Sequence, residues 1–503
     1  MTLPDWLDPL WVAEEMRAAD AWAVEQDGVP SLALMERAGE GLARMAAEAA
    51  AEGPVRVVVG GGNNGGDGLV AARLLRADGW MVDVLSAASL DRLEGDARAN
   101  LERLPGDAPE PFDSERLAGS GVVVDALLGT GFAGIAREPV TGAIAAINAL
   151  SAPVVACDVP SGVDASSGEV AGEAVRATVT ATFHGPKVGL HVAPGAHHAG
   201  RVEVIEIGIA HGAPEPRTAG LISRRALSLV PHRPRGGSKF TSGTVVVAGG
   251  AQGLTGAPRM AALAAMRAGA GYVQVAVPRS TEAVFELALM EAMTRGLAEE
   301  GGTHAPAGVA AVEELAERAG CVVLGPGLSR SDAALAFARA VAIAVEAPLL
   351  IDADGLNAHA GALESLRARR APTVLTPHAG ELGRLLGRES AEIDAHRLAC
   401  AREAAQRSGA VVVLKGDDSI VAAPEGPVAV SPGASPALAT AGTGDVLSGV
   451  IGALLAKGLG PFEAAAAAVL AHARAGQAAA ERHGADHTIA GDVIDALAAA
   501  MRA

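Results

Sequence analysis

The chain has 503 residues, half of them apolar, which is enough for two or three domains with sizeable cores. Its formal net charge is −18 and no Lys/Arg run occurs, so no nucleic-acid partner is expected. Three scattered cysteines without metal-ligand spacing, a start lacking a signal-peptide pattern, and no strongly apolar run of about 18 residues point to the cytoplasm and to no membrane partner.

Short β-branched runs at 55–59, 122–124, 154–157, 244–247, 272–277, 322–324, 349–351 and 411–414 alternate with Ala/Leu-rich helical stretches. Continuous apolar strands between helices predict parallel α/β sheets covered on both faces. A Pro/Gly/Arg-rich stretch at 212–240 reads as a connection between two such domains, 1–218 and 219–503. Only four lysines occur among the 40 Lys+Arg residues: Lys187, Lys239, Lys415 and Lys457. Asparagine is nearly as scarce, so a Lys or Asn inside a motif hints that an ammonium or carboxamide is needed there.

The first strand runs into Gly60-Gly-Gly-Asn-Asn-Gly-Gly-Asp-Gly68 and then a helix. Glycines at a strand–helix junction let backbone amides approach a ligand, though a plain tight turn would use them equally well. This is neither the GxGxxG fingerprint nor a Walker loop. Two asparagines and an aspartate in the loop tilt the reading towards a site. The next strands end in Asp125-Ala-Leu-Leu-Gly-Thr-Gly131 and Asp158-Val-Pro-Ser161-Gly-Val-Asp164. Carboxylates thus cluster at the C-terminal ends of parallel strands, where open α/β sheets bind ligands. In the second half, strand ends carry Gly249-Gly-Ala-Gln-Gly-Leu-Thr-Gly-Ala257, Gly325-Pro-Gly327, Asp352-Ala-Asp354-Gly-Leu-Asn357 and Thr376-Pro-His378-Ala-Gly-Glu381. Lys415-Gly-Asp-Asp-Ser419 and Gly442-Thr-Gly-Asp445 follow. In the last, a Gly-rich turn opens a helix whose amides can hold an anion, with Asp445 in its first turn.

The motifs of the first half, with Leu34-Met-Glu-Arg-Ala-Gly39, resemble the NAD(P)H-hydrate epimerase family over about residues 10–210. The resemblance implies a Rossmann-like three-layer domain that holds the hydrate at Asn63, Asn64, Gly65, Gly66 and Asp67. It also assigns Gly129, Thr130, Gly131, Phe132, Ala133, Gly134, Ile135 and Asp158 to the hydrate, and Asn64, Asp125 and Ser161 to a potassium ion. Carboxamide, carboxylate and hydroxyl oxygens suit such a hard cation. Lys187 stands where that family also carries a lysine. Asp158 is the candidate acid/base, with simple substrate orientation as the other reading.

The motifs of the second half resemble the ADP-dependent NAD(P)H-hydrate dehydratase branch of the ribokinase-like α/β proteins over about 222–500. That resemblance implies hydrate contacts at Ala257, Gly327, His378 and Asp445, and nucleotide contacts at Lys415, Gly416, Asp417, Asp418, Ser419 and Gly444. Glu381 falls where relatives build a magnesium–phosphate network, and Asp445 becomes the catalytic base. Two departures stand out: Ser238-Lys239-Phe240 where relatives often have His-Lys-Gly, and Thr443 for a serine, which keeps the hydroxyl. The expectation is a bifunctional enzyme, a homo-oligomer, that epimerises R and S hydrates of NADH and NADPH. It then dehydrates the S form with ADP, giving AMP, phosphate and NAD(P)H. The rival is a ribokinase-like small-molecule kinase with a non-catalytic cofactor-binding N-terminal module.

Overall fold

A computed structural model describes residues 2–210 and 212–502, which divide into two units. The first comprises residues 2–3 and 9–219 and is built on a seven-stranded sheet. Its order is Glu110–Pro111, Val82–Ser86, Val55–Val59, Val122–Ala126, Val154–Cys157, Val179–Phe183 and Arg201–Ile205, with every neighbouring pair parallel. Side chains alternate across a strand. Val57 and Val59 enter one buried cluster and Val58 the other, and Val122 and Val124 are likewise split from Val123. Both faces are therefore covered, which explains why these strands read as nearly continuous apolar runs. Helices Ser31–Ala49 and Asn63–Ala77 cover one face, drawn close because a Cβ on Gly39 would lie 2.3 Å from Val70 Cγ1. The chain leaves Val55–Val59 towards one edge and returns beside it at Val122–Ala126. That reversal opens a crevice at the strand C-termini, which is the usual ligand position in such sheets.

The second unit comprises residues 220–503 with the distant segment Pro4–Asp8. Its sheet runs outward from Thr244–Ala248 in two directions. Tyr272–Pro278 and Met293–Leu297 lie on one side; Cys321–Leu324, Leu349–Ile351, Thr373–Leu375 and Val411–Leu414 follow on the other, all parallel. Ile420–Ala422 and Val428–Val430 continue it antiparallel, and Ala219–Ile222 comes next. The stretch expected to be a plain connection thus contains a strand of this sheet. Pro4–Asp8 packs along the same edge: Ser223 N donates to Trp6 O at 3.1 Å, and the Trp6 ring sits 5.5 Å from Phe462. Among the described residues no helix is long and apolar enough to cross a membrane.

Candidate active sites

A cavity of about 750 Å³ occupies the crevice of the first unit. Helix Asn63–Ala77 starts directly after Gly62, so Asn63, Asn64 and Asp67 sit in its opening turns and line the cavity. Gly129, Thr130, Gly131 and Phe132 form the facing wall from the loop after Val122–Ala126, and Asp158 and Lys187 close the end. Gly65 and Gly66 do not line this cavity and are buried in packing. A Cβ on Gly65 would lie 2.2 Å from Gly60 O, and one on Gly66 2.8 Å from Met35 Sδ. These glycines seat the helix on the strand turn. Ala133, Gly134 and Ile135 are exposed; Ile135 lines a second hollow of about 510 Å³ that shares Gly61, Leu128 and Phe132 with the first.

Asp158 has a positive φ of 65°, held by the contacts of its side chain. Oδ1 accepts Lys187 Nζ at 2.6 Å and Phe183 N at 3.3 Å; Oδ2 accepts Thr130 N at 3.3 Å and the Thr130 hydroxyl. Lys187, only 1% exposed, also donates to Phe183 O at 2.7 Å and Thr182 Oγ1 at 3.0 Å. Burial pushes the Asp158 carboxyl up, but the Lys187 charge and these hydrogen bonds outweigh it and hold it below the usual range. Asp67 goes the other way. Burial, then Asp158 and Asp20, push it well above that range despite Lys187.

Asp125 and Ser161 are hydrogen-bonded to each other beside Leu128, and Asn64 lies against Gly129 of the same loop. Ser161 donates to Asp125 through N (2.8 Å) and Oγ (2.6 Å), and Leu128 N donates to Ser161 Oγ at 2.8 Å. Asp125 is fully buried and, among the described residues, pairs with no basic side chain; burial raises it to about 6, against hydrogen bonds from Ser161 and Leu127. Asn64 Oδ1 lies 2.8 Å from where a Cβ on Gly129 would be, and its Nδ2 is buried without a partner. The sequence reading gave no role to Asp20, which helix Ala13–Glu25 brings into the cavity wall beside Arg17 and Met16. A lone Asp in an Ala-rich amphipathic helix carries no signal of that kind.

In the second unit the ends of the parallel strands converge on helix Thr443–Ala456. Gly442, at φ 94°, makes the turn into it, and Asp445 lies in its first turn. Lys415 Nζ is 3.4 Å from where a Cβ on Gly444 would be, so the ammonium sits at this helix start. It donates to Asp352 Oδ1 at 2.9 Å and lies 3.7 Å from Glu381 Oε2, while Ser448 Oγ donates to Asp352 Oδ2 at 2.7 Å. Burial first, then Asp352, raise Asp445 to about 7; Lys415 opposes this and Glu381 adds to it. Gly327, at φ 64°, approaches helix Gly256–Arg267, where its Cβ would meet Ala257 Cβ at 3.4 Å.

His378 caps helix Ala379–Leu386, its Nδ1 accepting Gly380 N at 3.0 Å, with the side chain 55% exposed. Glu381 closes the capping box by accepting His378 N at 2.9 Å. The Asp418 carboxylate is held by both arms of the buried Arg397, at 2.9 and 2.6 Å, and Ser419 Oγ donates to Gly416 O at 2.7 Å. These side chains shape the loop that follows Lys415, and Asp417 stands beside them. Asp352, Ser448 and Arg397 were not singled out from sequence; the Asp352 loop was noted without a role, because its partners are distant in the chain.

Residues 31–189 match the family model described as YjeF-related protein N-terminus, and residues 245–498 the one described as NAD(P)H-hydrate dehydratase. The bifunctional NAD(P)H-hydrate repair enzyme Nnr of Salinibacter ruber is 42% identical, over 97% of this chain and 95% of its own length. The chain belongs to the bifunctional NAD(P)H-hydrate repair enzyme family. The relatives of that name from Moorella thermoacetica and Escherichia coli are 39% and 35% identical, covering 98% and 97% of this chain and 96% and 93% of their own. A solved ADP/ATP-dependent NAD(P)H-hydrate dehydratase from Bacillus subtilis, co-crystallised with ATP and Mg2+, is 27% identical. It covers 56% of this chain and 96% of its own, with a TM-score of 0.48. As a repair enzyme the chain joins an epimerase unit to a dehydratase unit, each an α/β domain built on a largely parallel sheet. The kinase alternative is not favoured, since near full-length relatives carry both parts under one name.

Proposed function

We propose that the residues gathered in the two crevices divide the repair of hydrated NADH and NADPH between them. The first unit interconverts the R and S hydrates. The second dehydrates the S form with ADP, yielding AMP, phosphate and NAD(P)H. The observation that carries this reading is Asp445 beside Lys415 at a helix start, where a base and an anion site meet.

Asp445 accepts the proton of the ring hydroxyl as that oxygen attacks the β-phosphorus of ADP. The hydroxyl leaves as phosphate, pushed by the ring-nitrogen lone pair, AMP is released, and loss of a proton from the neighbouring ring carbon restores the double bond of NAD(P)H. A carboxylate raised to about 7 is well matched to a base working near neutral pH. Lys415 and the amides of 442–444 stabilise charge on the transferring group. Ala257, Gly327 and His378 border the hydrate; the 415–419 loop and Gly444 border the nucleotide.

No group of three His, Cys, Asp or Glu side chains among the described residues could cage a metal by itself. This fits magnesium, which is commonly held by substrate phosphates with one or two carboxylates. Glu381 would supply such a carboxylate, and the ion would neutralise phosphate charge. Potassium suits Asn64, Asp125 and Ser161, whose oxygens include a buried carboxylate with no basic partner among the described residues. The cation would offset that buried charge and fix the loops that bear Gly129–Thr130 and Asp158. Asp158, anionic and fixed on both oxygens, orients the hydrate.

The test is incubation of the purified full chain with mixed hydrate epimers, with and without ADP. With ADP, reduced-nicotinamide absorbance returns completely; without it, only the epimer ratio moves. A stable phosphorylated product in place of free phosphate would refute the dehydratase reading.

A further inference from the structure

Every carboxylate facing the epimerase cavity has a different set of neighbours. Asp158 is filled, with Lys187 and Phe183 N on one oxygen and Thr130 on the other. Asp67 is 8% exposed, and what remains open looks into the cavity. Among the described residues no hydrogen-bond donor or cation meets its carboxylate, and it stands in the second turn of the helix that carries Asn63 and Asn64. A carboxyl group with no protein donor, open only to the cavity, meets whatever fills that cavity, solvent or substrate.

We propose, resting on the epimerase reading above, that Asp67 is the proton donor and acceptor at the hydroxylated ring carbon. Its surroundings and those of Asp158 separate the two groups as an acid and a fixed anion, the pattern by which paired carboxyl groups divide acid and base roles. Burial and the neighbouring carboxylates favour the protonated form of Asp67. The Asp67 proton passes to the ring hydroxyl; the C–O bond breaks as the ring-nitrogen lone pair forms C=N⁺, and water leaves. Water then adds to the opposite face and returns one proton to the Asp67 carboxylate. One C–O bond is lost and one formed, no electrons are exchanged with another reactant, and the acid is regenerated.

Several titratable or charged groups surround this position. Helix Ala13–Glu25 contributes Asp20 and Arg17, helix Gly95–Glu102 Asp96, and strand Val122–Ala126 Asp125. The end of Val154–Cys157 contributes Cys157 and Asp158, and Lys187 follows from its loop. Helix Ser31–Ala49 turns Ser31, Leu34, Met35 and Ala38 to the cavity, none of them charged. The variant must therefore be compared with wild type across pH.

The experiment uses the full chain, wild type and Asp67→Asn, without ADP, following epimer ratio by chromatography from acid to alkaline pH. The expected wild-type turnover falls as pH rises, because the donor must be protonated. In Asp67→Asn, kcat drops about 10²–10⁴-fold with KM within a few-fold, and the alkaline fall disappears. A kcat within tenfold of wild type, or a loss confined to KM with the alkaline fall unchanged, overturns the proposal. If Asp67→Asn fails to fold, the wild-type profile decides, since turnover that does not fall towards alkaline pH overturns it alone. Wild-type protein that leaves the epimer ratio at its spontaneous rate refutes the epimerase reading instead.

Discussion

Asp158, buried, and Asp445, half-buried, both stand beside a lysine, yet they are displaced in opposite directions. Lys187 gives its ammonium to Asp158 at 2.6 Å, whereas Lys415 is claimed by Asp352 at 2.9 Å, leaving Asp445 to face a second carboxylate. Asp445→Asn is nearly isosteric but cannot take a proton, so dehydration should fall about 10²–10⁴-fold while ADP still binds. Turnover and ADP affinity measured together check this; near-wild-type turnover rejects Asp445 as base. In the wild type the base must be deprotonated, so the dehydration rate should be lost as pH falls through about 7. A flat profile from pH 5 to 9 (about two units either side) would contradict that assignment. Lys187→Met removes the cation from a buried pair, and such breakage costs about 3–5 kcal/mol. The melting temperature of the epimerase unit should fall accordingly; an unchanged melt would show that Asp158 finds another partner.

Secondary-structure elements explain which parts of the fold were legible. Val154–Cys157 and Val411–Leu414 are buried on both faces, so an unbroken apolar run marked each of them, and Val55–Val59 is interrupted only by Arg56. Ala219–Ile222 was missed because it lies in Pro/Gly-rich surroundings and is recognisable only by the sheet it joins. The glycines of the 60–68 loop were visible, but not their division of labour: Gly65 and Gly66 seat a helix, while Asn63, Asn64 and Asp67 face the cavity. Asp20 and Asp352 were invisible as site residues because only the folded chain brings them to their partners. A similar close contact holds the dehydratase site in place. Gly449 in helix Thr443–Ala456 abuts helix Gly256–Arg267, and a Cβ there would lie 2.1 Å from Ala261 O. Gly449→Ala should destabilise that unit by about 1–3 kcal/mol through overpacking. Denaturant unfolding measures it, and an unchanged midpoint would mean that the two helices separate freely.

At the scale of the whole molecule, sequence order and domain membership part company at the N-terminus. Residues 4–8 belong to the dehydratase unit although the epimerase unit follows them in the chain. Trp6 is buried there against Phe462, and Leu7 Cβ lies 2.8 Å from where a Cβ on Gly220 would be. Cutting the chain at 218/219 therefore removes a packed aromatic from a unit that otherwise looks self-contained. Truncating a buried Trp to Ala typically costs about 3–5 kcal/mol. Trp6→Ala in the full chain should lower the stability of the dehydratase unit by about that amount and leave the epimerase unit's unfolding unchanged, as ADP-dependent turnover and epimerisation followed through a denaturant series would report separately. A fragment of residues 219–503 should show the same deficit, and a peptide carrying residues 2–8 should restore part of it. If the fragment is as stable as the unit within the full chain, the N-terminal segment contributes nothing to that unit's folding.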